Sequence, residues 1–435
     1  MKVMKILLCC EFYYPSIGGV QVVMQQLAEH FVVMGHDVTV ATRLMPSREG
    51  SELNGVRIRE FSVFGNRVAG MKGEIKKYQE FVQNGKFDVV MIKAAQQWTF
   101  DALWPVLEQV SSVKVFIPCG FSGLYEPAYA EYFQRLPSIL RKFDHLIFYA
   151  SDYRDINFAK EHGIANYSIV PNGASELEFN VQPTPNFRST LKLGDGDFIF
   201  LTVGSFTGLK GHLEVAKAFA LADFNGRQTI LILNGNKPVH YDKNIFQTLI
   251  RALGLVRLYG LKYVTKHVLK TFLRSMGFRV GKDDEFETVM NNIRKQSNKK
   301  VMVMDLPRLV LIQAFMAADL FVFASNVEYS PLVLFESAAA GTPFLTVPVG
   351  NAEEIAQWTG AGVVCPAVRD AKGYTRVDPS ELAQFMSQLA RDEALLKRLG
   401  AAGKGNWQDK FTWEKISREY EVIFLRLVEG RAASE

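Results

Sequence analysis

Short runs of β-branched, aliphatic and aromatic residues alternate with amphipathic stretches along most of the chain. KILLCC from Lys5, HDVTVATR from His36 and VRIREF from Val56 carry the strand pattern, with the helical VQVVMQQLAEHFVVMG between the first two. FDVVMI from Phe87, VKVFIP from Val113, HLIFYAS from His145 and YSIVPNG from Tyr167 continue it. The stretch NVQPTPNFRS, Asn180 to Ser189, has two prolines and little to bury, and reads as a linker. A second series follows: FIFLTVG, the helix EVAKAFALA, TILILNGN, the helix PRLVLIQAFMAA, DLFVFAS, the helix LVLFESAAAG and PFLTVP. Strand and helix alternating at this spacing predict parallel sheets covered by helices. The expected fold class is α/β, with two doubly wound Rossmann-like domains, 1–180 and 190–412, facing a cleft. Open sheets of this kind bind ligands beyond the carboxyl ends of their strands, so the cleft is the expected site.

Composition agrees with this picture. At 435 residues the chain exceeds one ordinary core and suits two domains. Its 48% hydrophobic and 22% charged residues are those of a packed globular protein. A net charge of +5 is too small by itself to argue for nucleic acid, and no nucleic-acid motif accompanies it. The four cysteines form no CxxC pair and no metal-like cluster with the histidines, which reads as a reduced, cytoplasmic chain with no metal site. No apolar run approaches the ~20 residues of a membrane-spanning helix.

Chemistry concentrates in two loops. In EYSPLVLFE, Glu328 and Glu336 stand with seven residues between them. Ser330 suits a helix cap, Pro331 a first helical position and Gly341 a stop. The N–H groups near Leu332 and Val333 would then favour an anion such as phosphate. Glu336 follows Pro331 by about 7.5 Å along the axis at 1.5 Å per residue, an offset that suits a ribose diol beside a diphosphate. Glu328 would meet the sugar on the far side. From spacing alone, a capped helix with two solvated glutamates serves equally well. GSFTGLKG, from Gly204 through Ser205 and Lys210 to Gly211, is a Gly-rich strand-to-helix loop that lets backbone N–H groups approach phosphate, with Lys210 as a cation. It is not a Walker loop, and alone it reads as a turn with a surface lysine. Asp195 and Asp197 in GDGD read as turn chemistry rather than a metal motif.

The chain resembles the retaining glycosyltransferases of GT-B fold, glycosyltransferase family 4 (group 1). The resembling residues are the Gly18-Gly19 loop, VPNGASELEF from Val170, GSFTGLKG, and EYSPLVLFESAAAGTPF with GNAEEI behind it. The terminal FTWEKISREYEVIFLRL resembles the family's last helix, so 413–435 is expected to cross back to the first domain. The resemblance implies that Lys210 holds a donor diphosphate, Glu328 contacts the transferred sugar, Glu336 binds the ribose, and Gly18 and Gly19 line the cleft. It further implies a nucleotide-sugar donor as substrate, no cofactor, and retention at the anomeric carbon without a metal. Two departures stand out. Many relatives have an arginine where this chain has Ser205. Many also have a histidine against the donor sugar's primary hydroxyl, where this chain reads IPCGFSG and Cys119 becomes the sugar contact. The second departure implies a donor with a different C6, or lost activity. A catalytic thiol at Cys119 has no base partner to support it.

One feature lies outside the family pattern. Between Lys243 and Lys282 stand nine Lys or Arg residues and no Asp or Glu, within a basic insertion read as 243–300. Lys262, Lys266, Lys270 and Arg274 recur every fourth residue, with Leu261, Val264, Val268, Leu269 and Phe272 falling largely to another side. That is a basic amphipathic helix, suited equally to an anionic membrane surface or to packing on its own domain. The membrane reading makes the protein peripheral at the inner face of the membrane, with a saccharide or lipid-linked saccharide as acceptor and surface polysaccharide as product. Two other readings are a nucleotide-sugar epimerase of the same fold and a non-catalytic assembly partner. The membrane reading predicts binding to vesicles containing anionic lipid that weakens with salt; equal binding to neutral vesicles would reject it.

Overall fold

The computed structural model describes residues 2–182, 186–235, 282–371 and 373–433. Lys262, Lys266, Lys270 and Arg274 lie outside the described residues. Each half of the chain forms a parallel sheet between helices. The first sheet has eight strands in the order Tyr167–Ile169, His145–Phe148, Val113–Ile117, Val89–Lys93, Lys5–Cys9, Asp37–Arg43, Val56–Phe61 and Glu52–Leu53. All its pairs are parallel except the hairpin of the last two. Lys5–Cys9 is flanked by Asp37–Arg43 on one side and Val89–Lys93 on the other, so strand order reverses there and a crevice opens at its carboxyl end. This strand is near-continuously apolar because helices cover both faces.

The second sheet is wholly parallel and has six strands: Lys299–Met304, Thr229–Asn234, Phe198–Val203, Leu320–Phe323, Phe344–Thr346 and Gly362–Val364. Here the order reverses at Phe198–Val203, which pairs with Thr229–Asn234 and with Leu320–Phe323. The loops after Phe198–Val203 and after Leu320–Phe323 therefore emerge side by side. These are the two loops in which the sequence concentrates its chemistry. The fold is two doubly wound Rossmann-like domains. The basic stretch that the sequence carried to residue 300 ends in regular structure: Lys282–Arg294 is a helix, and Lys299–Met304 is the edge strand paired with Thr229–Asn234. KKVMVM alternates too weakly to announce that strand.

The last helix, Trp413–Ala432, packs on the first domain. Phe424 lies 5.5 Å from Phe31, ring to ring, His36 and Glu421 meet at 3.0 Å, and Arg431 donates to the Ser112 carbonyl. Near its start, Glu176 accepts from the Trp413 N–H and contacts His30 at 2.8 Å, tying three segments together.

A seam of aromatic rings joins the domains. Tyr153 stacks on Tyr329 with centroids 4.8 Å apart, and Tyr149 lies 5.5 Å away on the same ring. Tyr329 accepts from the Tyr149 N–H, Tyr153 donates to the Glu328 carbonyl, and Asn351 donates to the Tyr149 carbonyl. Beneath the seam sits Asp155, fully buried, accepting from the Gly120 N–H and the Tyr329 hydroxyl. Burial pushes its carboxyl up to about 6 against the opposing pull of those hydrogen bonds. Folded protein thus holds this proton more tightly than unfolded protein, so the contribution of Asp155 to stability is largest below its ordinary value of 3.8 and falls as pH rises to about 6. Urea midpoints between pH 4 and 7 should decline in the parent and decline less in Asp155→Asn; identical slopes would contradict this account.

Candidate active site

The side-by-side loops meet in an ion pair. Lys210 Nζ donates to Glu328 Oε1 at 2.6 Å, and Ser325 Oγ donates to the same oxygen at 3.1 Å. Both charged side chains are largely buried, at 29% and 16% exposure. An ammonium has more than one N–H, so Lys210 keeps donors for a second acceptor, and Glu328 keeps its other oxygen.

Glycine geometry fixes this meeting. Gly211 has φ 77°, and a Cβ there would stand 2.1 Å from the Ala324 carbonyl oxygen. Only glycine lets the end of the phosphate-type loop lie against the start of the Glu328 loop. A Cβ at Gly204 would press on Lys210 Cβ at 2.9 Å. Ser205, in the place of the expected arginine, supplies no charge, and its carbonyl accepts from Thr207. Burial, aided by the Lys210 charge, lowers His212 to about 4 against the pull of the Asn234 carbonyl, so this histidine stacked on Phe206 is neutral. Lys210 is thus the cation of this loop.

The helix Leu332–Ala340 begins beside the pair. Its cap is Pro331, with no side-chain hydrogen bond, and it ends at Gly341 in the left-handed conformation. The stop is where the sequence placed it; the start is not. Ser330 does not cap the helix: Pro331 stands at the cap position, so the serine sits one residue too early for its hydroxyl to serve the first turn. That hydroxyl is buried with no partner among the described residues. The first-turn N–H groups at Leu332 and Val333 have no acceptor within the helix. An orphaned hydroxyl and free N–H groups next to an ammonium form a site that suits an anion.

Glu336 is buried, and its Oε1 accepts from Arg308 at 2.6 Å. Arg308 also pairs with Glu178 through two bonds of 2.6 and 2.9 Å. Burial disfavours the guanidinium charge, but the Glu336 and Glu178 carboxylates outweigh it and raise the Arg308 pKa. Glu178 belongs to the short helix Glu176–Phe179, in the segment that leads out of the first domain. No motif in the sequence pointed to Arg308, which opens a helix 28 residues before Glu336.

From the first domain, Cys119 and Gly120 follow Val113–Ile117 with φ 63° and 87°. A Cβ on Gly120 would touch Tyr329 at 3.1 Å, which sets this turn beside the Glu328 loop. Burial pushes the Cys119 thiol up despite the Lys93 charge, so it is no thiolate nucleophile. Gly18 caps the helix Gly19–Val33 at the carboxyl end of the central strand, with no side-chain bond. Its backbone is extended, and a Cβ would meet only the flexible Gln21 side chain. Asp197 accepts from the Gly194 N–H in a turn, as its sequence suggested. Among the described residues no group of three or more His, Cys, Asp or Glu could hold a metal ion.

This architecture, two paired Rossmann-like domains, is that of the GT-B glycosyltransferases. Residues 17–176 match the model of Glycosyltransferase Family 4, and residues 280–405 match that of Glycosyl transferases group 1. The chain belongs to the group 1 glycosyltransferases of GT-B fold. It is similar to N-acetyl-alpha-D-glucosaminyl L-malate synthase of Bacillus anthracis, with 23% identity over 94% of both chains. Among solved structures it is similar to sucrose-phosphate synthase of Thermosynechococcus elongatus, with TM-score 0.69 and 18% identity over 98% of this chain and 100% of that one. Anabaena HepE, solved in complex with UDP and glucose, matches with TM-score 0.64 and 14% identity over 97% of this chain and 100% of that one.

Proposed function

We infer that this glycosyltransferase moves a sugar from a nucleotide-sugar to a saccharide or lipid-linked saccharide with retention at the anomeric carbon. The observation that carries the reading is the Lys210–Glu328 pair, with the buried Glu336 at the far end of the same element. In this reading the donor diphosphate accepts from Lys210 and the first-turn N–H groups near Leu332. Glu336 accepts from the ribose diol, and the free oxygen of Glu328 accepts from hydroxyls of the sugar. As the anomeric bond to the diphosphate lengthens, negative charge grows on the leaving oxygens, and these preorganised donors stabilise it without reorganising. They supply the charge that a divalent cation would otherwise supply, so the reading includes metal independence. The similarity to HepE, solved with UDP and glucose, favours a uridine diphosphate sugar as donor. Similarity to N-acetyl-alpha-D-glucosaminyl L-malate synthase keeps a small-molecule acceptor as the second reading.

The test is turnover of a panel of uridine and guanosine diphosphate sugars with a saccharide panel and chelator present, followed by NMR assignment of the product anomer. The α-configured donor should give an α-linked product, and Lys210→Ala should lower kcat by about 10²–10³-fold, as loss of one charge-stabilising donor does elsewhere. An inverted product would overturn retention. Epimerised donor formed without any acceptor would favour an epimerase instead.

A further inference from the structure

Arg308 belongs to neither of the two loops in which the sequence concentrates its chemistry, yet it touches the one carboxylate of the site that lies inside a helix. It opens the helix Arg308–Ala317. Its Nη2 donates to Glu336 Oε1 and to Glu178 Oε2, each at 2.6 Å, and its Nε donates to Glu178 Oε1 at 2.9 Å. The bond to Glu178 is two-pronged, which fixes the plane of the guanidinium as well as its place. The bond to Glu336 is single and reaches one oxygen. The other oxygen, Oε2, has no donor among the described residues.

Glu336 needs such a partner. It stands in the helix Leu332–Ala340 between Phe335 and Ser337, both wholly buried, and its own side chain is 11% exposed. Without a cation, a carboxylate so placed would take up a proton or turn away towards water, and either change would spoil it as an acceptor for a diol. The bond from Arg308 keeps the charge and leaves Oε2 to accept. A carboxylate held by one oxygen can still swing unless its partner is fixed, and Glu178 fixes the partner. Two carboxylates against one guanidinium leave the trio with net negative charge, so it suits a neutral hydrogen-bond donor and not a phosphate. As a stability element the outer bridge is weak: Arg308 and Glu178 are 40% and 30% exposed, and exposed pairs of this kind contribute little. Its contribution is to orientation.

We propose that Arg308 is a positioning residue for nucleoside recognition: anchored by Glu178, it holds Glu336 ionised and oriented, and so lets the chain tell a ribonucleotide from its deoxy counterpart. The proposal rests on the transferase reading and deepens it. Ribose selectivity is then set in part by Glu178, a side chain on the segment that leads out of the first domain, acting through Arg308.

Titration calorimetry of the full chain with UDP and 2′-deoxy-UDP, repeated with GDP and 2′-deoxy-GDP, tests this on the parent, Arg308→Gln and Glu178→Gln. The parent should bind one ribonucleotide about tenfold or more tighter than its deoxy form, as loss of a hydrogen bond to a charged group implies. In Arg308→Gln that ratio should fall to within about twofold, because the ribonucleotide weakens while the deoxynucleotide keeps its affinity. In Glu178→Gln, where Glu336 keeps its arginine but the arginine loses its anchor, the ratio should fall about threefold; this isosteric variant decides the matter if Arg308→Gln does not fold. An unchanged ratio, with both nucleotides weakened equally, would overturn the proposal and leave Arg308 a purely structural role. A larger ratio would overturn it too, since Arg308 would then be occupying an oxygen that the ribose needs. A parent that binds UDP or GDP with no preference for ribose defeats this inference and leaves the donor reading standing, whereas a parent that binds no nucleotide defeats both.

Discussion

The rest of the site depends on one contact, the 2.6 Å ion pair of Lys210 with Glu328. It forms because strand order in the second sheet reverses at Phe198–Val203, which makes the loops after that strand and after Leu320–Phe323 neighbours. Gly211 then removes the side chain that would keep the loops apart. In a partly buried cleft each charge stabilises the other, and removing either leaves its partner uncompensated. A diphosphate approaching Lys210 does not have to break this contact, since an ammonium can donate to more than one acceptor. The geometry of the pair is therefore a preformed one, set by topology before any ligand arrives.

The second carboxylate is handled differently. Glu336 sits with its charge held by Arg308, and Arg308 is held in turn by Glu178 from the segment that leaves the first domain. A few residues away, Glu176 grips His30 and the start of the last helix. The Glu336 end of the site and the connection between domains thus share one short helix. On the opposite side of the Glu328 loop, Tyr149, Tyr153 and Tyr329 seam the domains together through ring contacts and three hydrogen bonds to or from backbone. Position of the Glu328 backbone and relative position of the domains are accordingly one structural variable, fixed by the same aromatic contacts.

Much of this was legible in the residues. The central strands of both sheets announce themselves because a strand buried on two faces reads as an unbroken apolar run, as in FIFLTV or TILILN, whereas the half-exposed edge strand KKVMVM does not. Gly341 as a helix stop follows from its freedom to take φ 77°. The two glutamates and the lysine stood out because they interrupt glycine-rich or apolar contexts. What the sequence hid was long-range pairing. Arg308 looks like any helix-start arginine until the fold sets it between two acids from different segments. The serine before Pro331 reads as a cap, yet backbone geometry moves the cap onto the proline and leaves the hydroxyl without a partner. Tyr329 inside the quoted motif gave no sign of its place at the domain seam, since ring stacking across domains has no local spacing.

In the transferase reading proposed above, Lys210 and Glu336 mark two ends of one nucleotide-sugar site. Thermal unfolding with UDP, GDP, ADP and CMP, on the parent, Lys210→Ala and Glu336→Ala, tests it most directly. A ligand at 100 times its dissociation constant should stabilise the native state by about 2.7 kcal/mol. One nucleotide should raise the parent's melting temperature and lose that effect in both variants; a parent that responds to none of them, or variants that respond as the parent does, would contradict it.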